Sequence, residues 1–401
     1  MIGAGAAGTM AAIFAASAGA RTVLLERTRD GGRKILISGG GRCNVLPARL
    51  DETRFVTDSS PNTLRKIIRS WPLGEQISYF ERELRIPLVE EPESAKLFPV
   101  SNRARDVRDG LLNMAGTQGA EVRTGVRVTD IVRHGGRWRV DLEAEESLHV
   151  DAVIVATGGY SVPNTGSDGA GLGILRRLGH TIHPTYAALT PLRADPAPFG
   201  ALAGVSLPVT LTAKSAVHSA EARGGFLFTH HGYSGPAVLD VSHVAVRSSD
   251  EGGPPARVSV QWTDLDEDGW GSALRPEGTQ TVGRVVKGRL PERLASMLLD
   301  RVGIQSGRRL AQLKREERLR LVESLVRGDL PWNGHEGYKK AEVTGGGVSL
   351  SEIDPKTMES SMCPGLYICG EALDAFGPIG GYNFLWAWAT GRAAGWGASV
   401  S

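Results

Sequence analysis

The chain begins MIGAGAAGTM, and Gly3, Gly5 and Gly8 fall in the pattern Gly-x-Gly-x-x-Gly. That spacing belongs where a buried strand turns into a helix whose first N–H groups meet a phosphate. The residues that follow agree with it. Ala6 to Ala18 is a run of small residues suited to a helix lying close on a sheet. Arg21 to Leu25 (RTVLL) reads as a buried strand, and Glu26 ends it. Loop, helix, strand and terminal acid make half of a Rossmann unit. In this reading Gly3 permits the turn, Gly5 admits a pyrophosphate, and Gly8 lets the helix pack. Glu26 accepts hydrogen bonds from an adenosine ribose, and Ala7 and Arg27 are grouped with these cofactor-side residues. A leading strand normally supplies about five residues, but only Met1 and Ile2 precede the loop. The expectation is a natural start further upstream, with a short edge as the alternative.

The glycine pattern recurs. "SGGGRCN" (Ser38 to Asn44) offers backbone N–H groups and close approach to a flat ligand, with Arg42 able to stabilise negative charge. Cys43 has no CxxC partner, so a small buried residue beside the ligand is its expected role. "DAVIVATGG" carries a strand through Thr157 into the glycines Gly158 and Gly159, and "GLYICGEALD" repeats the pattern. The second leads into a helix beginning near Gly380 to Asn383, whose N-terminus favours an anionic flavin ring. Three such sites joined to a Rossmann start point to a long cofactor such as FAD.

Elsewhere, short helices are expected near Thr63–Ser70 and Glu75–Glu83, and a longer one over Arg103–Ala115. A three-stranded meander is expected over Arg127–Val155, turning at "HGG" and "EAEES". The segment "GGRKILISGGGRCNVLP" is too glycine-rich for a regular element. Residues 190–260 read as strands, 280–330 as charged helices, and Tyr382–Gly395 as the last helix. The order implies a nucleotide-binding domain interrupted by an insertion and completed by the C-terminus.

A chain of 401 residues is long for one core, so two or three domains are expected. With 41% hydrophobic residues, 22% charged and a net charge of +2, composition gives no reason to expect nucleic acid or an anionic membrane. Arginine is frequent but scattered among acids, as on a solvated surface. The cysteines Cys43, Cys363 and Cys369 have neither metal nor disulfide spacing, which fits a reducing compartment and no metal. No apolar run is long enough to span a bilayer. The Ala-rich start lacks the basic region of a secretion signal, so a cytoplasmic protein is expected.

The blocks GAGAAG…LLER, GRKILISGGGRCN, FTHHGYSGPAVL, VTGGGVSLSEIDPKTMES and GLYICGEALDAFGPIGGYNFLWAWATGRAAG resemble the BaiN/YhiN-type bacterial flavoproteins. Members of this family are described as bile-acid enone reductases and as aminoacetone oxidases. The resemblance implies FAD and an α/β fold, a Rossmann-like FAD-binding domain interrupted by an inserted β-subdomain and a small helical subdomain. The boundaries expected are 1–188 with 345–401, 189–265 with 331–344, and 266–330. By position the resemblance also puts Arg33, Ser38, Gly41, Arg42, Cys43 and Asn44 along the flavin side. It puts the Val128 backbone at adenine, Gly370, Glu371 and Asp374 at the ribitol, and Gly381, Tyr382 and Asn383 at the flavin ring.

For catalysis, "THHGYSGP" brings His230, His231, Tyr233 and Ser234 together, with His231 and Tyr233 as candidate proton donors. Tyr338 and Lys339 are weaker candidates. The expected activity is FAD-dependent oxidoreduction through flavin N5, reducing an enone-like C=C with NAD(P)H as donor. The enzymatic rival is an oxidase of a small amine or aminoketone. A rival of another class is a non-catalytic flavin-binding or RNA-associated protein. "GSDGAGLG" (166–173) lacks a ribose-binding acid, so any nicotinamide binds transiently.

Overall fold

The computed structural model describes residues 1–92, 94–144 and 147–399. The chain forms two compact units, residues 1–187 with 342–401 and residues 188–341.

The first unit is built on a parallel sheet. Val23–Glu26 pairs with Glu121–Thr124 on one side, and Val153–Val155 pairs with Leu366–Ile368 on the other. Ile2 bridges the two halves, in parallel register with both Leu25 and Val155. Met1–Gly3 therefore occupies the central strand position and hands the chain directly to the glycine loop. The strands Val23–Glu26, Val153–Val155 and Leu366–Ile368, buried on both faces, need helices on either side. The first helix, Ala6–Ser17, is buried over Ala7–Ala16. It lies against the last helix, Tyr382–Gly397, so closely that Gly391 and Gly395 sit over the carbonyls of Ala7 and Ala11. Small residues on both helices allow that approach.

The expected helices appear as Pro61–Arg69, Leu73–Ser78 and Ala104–Thr117. Val128–His134, Arg137–Leu142 and Ser147–Val150 form the antiparallel meander. The strand after it, Val153–Val155, leaves the meander for the parallel sheet. The turn expected at "EAEES" falls partly on Glu145 and Glu146, outside the described residues.

Two local readings differ from the structure. The glycine-rich stretch does hold a short helix, Arg33–Ile37, started by Gly32 in the left-handed region (φ 70°) and anchored by buried Ile35. Within the segment read as strands lies a 15-residue helix, Pro236–Asp250. Its four valines mimic the β-branched content of a buried strand, while Pro236 at its first position signals a helix start.

The second unit carries a seven-stranded antiparallel sheet. Its order is 328–329, 257–261, 206–214, 219–229, 232–234, 192–193 and 334–335. The helices Glu267–Ala273, Val282–Lys287, Glu292–Arg301 and Arg315–Val326 share one apolar core with the sheet, through Trp262, Trp270, Leu294, Leu298 and Leu321. Residues 266–330 thus form no core of their own. Among the described residues no helix is long and apolar enough to cross a membrane.

Candidate cofactor site

A cavity of about 390 Å³ opens at the carboxyl ends of the parallel strands, and every residue lining it belongs to the first unit. At one end the first helix starts at Gly5, whose extended backbone (φ −80°, ψ −167°) caps it without a side chain. The first turn holds no acidic residue. Unpaired N–H groups and the helix dipole therefore face the cavity beside Gly3, Gly5 and Ala7, as an anion requires. Gly8 is absent from the wall. A Cβ there would sit 1.9 Å from the Gly3 carbonyl oxygen, so its role is packing of helix on loop rather than contact with a ligand.

Glu26 lines the cavity yet is only 7% exposed. Its carboxylate accepts from Ala4 N–H and Thr28 N–H, each at 2.8 Å, and from the Thr28 hydroxyl at 2.6 Å. The acid holds the glycine loop while keeping lone pairs for a ribose. Arg27 lines the same end and pairs with Asp168, a partner the sequence did not suggest. The Arg27 guanidinium helps hold the Asp168 carboxyl below its ordinary range, against the opposing effect of desolvation. Val128, Thr157 and Gly158 also line this part. Among the described residues the buried Thr157 hydroxyl has no hydrogen-bond partner, an orphaned polar group on the wall that suits a polar ligand.

Along the middle, Arg33, Ser38 and Asn44 reach the cavity, together with Gly39 and Gly40. Arg33 is held by Asp30 at 2.7 Å. Gly41, Arg42 and Cys43, expected beside the flavin, are not among the residues that line it. Gly39 and Gly40 are left-handed (φ 55° and 68°) and turn the chain so that the next residues point away. The Arg42 guanidinium lies 4.1 Å over the Phe98 ring and pairs with Glu91 at 2.9 Å. Cys43 is fully buried, and burial pushes its thiol up to about 12, so it supplies no thiolate at neutral pH.

At the far end Gly370, Glu371, Gly381 and Asn383 line the cavity. Glu371 is already engaged. It receives Lys34 Nζ at 2.6 Å, the Ser161 hydroxyl at 2.5 Å and Thr344 N–H at 2.9 Å. Lys34 also donates to Ser161 Oγ at 2.7 Å. Lys34 is the main residue that sequence reasoning missed: it stood in the quoted block, but only the fold brings position 34 against position 371. Asn383 closes a loop, accepting from Gly377 N–H and donating to Gly377 carbonyl, both at 2.9 Å. The last helix starts at Gly381 (φ 92°), again with no acid in its first turn.

Asp374 and Tyr382, expected at the ribitol and the ring, are not among the lining residues. Asp374 is 1% exposed and off the cavity, accepting from Ser59 Oγ at 2.7 Å and Asp58 N–H at 3.0 Å. Burial raises its pKa. The Tyr382 ring packs on Phe55, with centroids 5.6 Å apart, and its hydroxyl donates to the Arg49 carbonyl at 3.3 Å.

The catalytic candidates all lie in the second unit. His230 and His231 are exposed at the turn between strands Ser219–Thr229 and Gly232–Ser234. Tyr233 is 1% exposed, packed on Phe226 and Phe228, and its hydroxyl donates to the Pro331 carbonyl at 2.9 Å. Burial raises its phenol pKa, and its ring is part of the second unit's core. Ser234 and Tyr338 are half-buried, and Lys339 is exposed.

The cavity thus has a helix N-terminus at each end, a ribose-competent acid near one and a lysine–glutamate pair near the other. An elongated ligand with a pyrophosphate and an electron-accepting ring matches this order of groups.

Comparison with known proteins agrees. Residues 1–397 match the family described as HI0933-like protein Rossmann domain. The chain is 30% identical over 405 residues to a 3-dehydro-bile acid delta(4,6)-reductase of Clostridium scindens, covering 98% of this chain and 97% of the relative. It is 31% identical over 398 residues to a ribosomal RNA dihydrouridine synthase of Escherichia coli, with 98% and 96% covered. It is also 31% identical over 408 residues to a protein of the same description from Haemophilus influenzae, with 98% and 96% covered. The chain belongs to the HI0933-like Rossmann family and is an FAD-dependent oxidoreductase.

Proposed function

We propose that the protein saturates a carbon–carbon double bond conjugated to a carbonyl, with NAD(P)H as the electron source. The observation that carries this reading is the cavity: an acid-free helix start opens on one end of a Rossmann site, and a cationic side chain, Lys34, lines it near the other. The names of the relatives support it chemically. A delta(4,6)-reductase acting on a 3-dehydro bile acid and a dihydrouridine synthase both add two hydrogens across a C=C in conjugation with a carbonyl.

In this reading Gly3, Gly5 and Ala7 face the pyrophosphate, Glu26 the ribose, and Gly381 with Asn383 the ring. Bound FAD supplies the hydride-transferring N5. Lys34 uses two of its three N–H donors on Ser161 and Glu371, and the third is available to negative charge developing at the ring end. Glu371 keeps the ammonium from being an isolated charge. The setting is cytoplasmic, where NAD(P)H is supplied.

The test uses the purified holoprotein without oxygen. NADPH or NADH is expected to bleach the visible flavin bands, and 2-cyclohexen-1-one to restore them with a product heavier by two hydrogens. Bleaching by aminoacetone, with no reoxidation by the enone, would establish the oxidase instead. A second reading, in which the double bond is that of a uridine in ribosomal RNA, is favoured by the two relatives named for that reaction. Protein-free ribosomal RNA replaces the enone in the same assay, with dihydrouridine read by mass spectrometry.

A further inference from the structure

The net charge of +2 conceals a strong asymmetry. Residues 275–327 contain thirteen Lys and Arg against six Asp and Glu, a local net charge of +7, and eleven of the thirteen are arginine. Three of the six acids are neutralised locally: Glu292 by Lys287 at 2.9 Å, Glu317 by Arg308 at 2.7 Å, and Glu323 by Arg327. Arg284, Arg309, Arg315, Arg318 and Arg320 make no ion pair among the described residues, and all but half-buried Arg318 are exposed.

The fold gathers several of these residues. Thr281 bridges Arg309, and Val282 N–H donates to the Arg308 carbonyl at 2.8 Å. This puts the start of helix Val282–Lys287, and Arg284 on it, beside the Arg308–Arg309 turn. The Arg308–Glu317 pair ties the same turn to the start of helix Arg315–Val326. Arg284, Arg309, Lys314, Arg315 and Arg318 thereby share one region of the second unit. Crowding like charges in this way costs stability through self-repulsion unless a polyanion relieves it.

We propose that this arginine-rich region is an RNA-docking surface that grips the phosphate backbone. The choice of RNA as partner rests on the uridine reading above. Guanidinium groups fit phosphate with two parallel hydrogen bonds, which accounts for arginine over lysine. The only aromatic residue in 266–330 is Trp270, and it is fully buried. The surface therefore has no stacking platform for bases, so its contacts fix position and not sequence.

The test compares the wild-type holoprotein with the triple variant Arg284→Gln/Arg309→Gln/Arg315→Gln, titrating protein-free ribosomal RNA at several salt concentrations. Each lost phosphate contact should reduce the log–log salt slope by about 0.7–0.9, roughly 2–3 in all. The expected loss of affinity at low salt is tenfold or more, with flavin content and enone reduction unchanged. Equal affinity and slope in both proteins would overturn the proposal. So would binding to phosphatidylglycerol vesicles in place of RNA. If RNA binds through these arginines but no dihydrouridine forms, the docking surface stands and the uridine reading falls. Dihydrouridine formed equally well by the triple variant would overturn the docking surface alone.

Discussion

Glu26→Gln changes almost no volume, and the structure says what it should cost. The native carboxylate accepts from Ala4 N–H on one oxygen and from the Thr28 N–H and hydroxyl on the other, in a site 7% exposed. A glutamine brings one oxygen and one NH2. With its oxygen towards Thr28, the NH2 faces the Ala4 N–H. With its oxygen towards Ala4, the NH2 faces the Thr28 N–H. Either way a buried backbone donor meets another donor, at a cost of about 1–3 kcal/mol. In a unit of this size that lowers the melting temperature of the flavin-free protein by roughly 2–4 °C per kcal/mol. Binding should suffer as well, because a charged acceptor for the ribose becomes neutral. A loss of about 1.4 kcal/mol there weakens FAD roughly tenfold. The assay is thermal unfolding of the apoprotein, followed by FAD titration of the same sample. An apoprotein melting within a degree of wild type would refute the claim that Glu26 holds the loop. Weakened FAD alone would leave it a ribose ligand only.

Other perturbations test other parts of the site. Gly391→Ala puts a Cβ 2.4 Å from the Ala7 carbonyl oxygen, so the first helix must shift, with a destabilisation of about 1–3 kcal/mol and weaker FAD. Gly116→Ala, with nothing within 4 Å of its Cβ, is the control and should be neutral or mildly stabilising in thermal melts. Cys43 and Cys369 are buried, with thiols pushed up to about 12, so a thiol reagent at pH 8 should label only half-buried Cys363 until the protein is denatured. Lys34→Met leaves Glu371 without its cation, and a shifted flavin spectrum with faster cofactor loss is expected; an unchanged spectrum would remove Lys34 from the ring end. Glu352 is desolvated, but hydrogen bonds from Thr181 and His180 still hold its carboxyl below the ordinary range. Its contribution is present above the unfolded-state pKa and lost as pH falls through the lower folded value. Glu352→Gln should therefore destabilise most near neutral pH, and the gap from wild type should shrink below about pH 4 in acid unfolding curves.

The sequence alone determined the cofactor class, because the groups that hold a dinucleotide are backbone groups and one acid at fixed local spacing. Gly3, Gly5 and Glu26 are set by contiguous chain, and each lies on the cavity. The two helices that point at it are likewise legible, since a small-residue run follows Gly5 and a long aromatic and apolar run follows Gly381. The central strand position was not legible. Met1–Gly3 serves as a strand only because two strands from 23–26 and 153–155 close on it.

Direction was also invisible. In "SGGGRCN" the residue types suit a flavin, yet three left-handed glycines turn Arg42 to Glu91 and bury Cys43. In "GEALD" the acid Glu371 meets the cavity while Asp374, three residues on, turns into the core towards Ser59. Lys34 acquires its role from a partner 337 residues away. The charge asymmetry of 275–327 was present in the sequence but hidden by the whole-chain net charge. Which of those arginines share one surface is decided by the Thr281–Arg309 bridge and the Arg308–Glu317 pair. Local spacing specifies what a residue can bind; packing of distant segments fixes where its side chain points, because that depends on which neighbours bury its other faces.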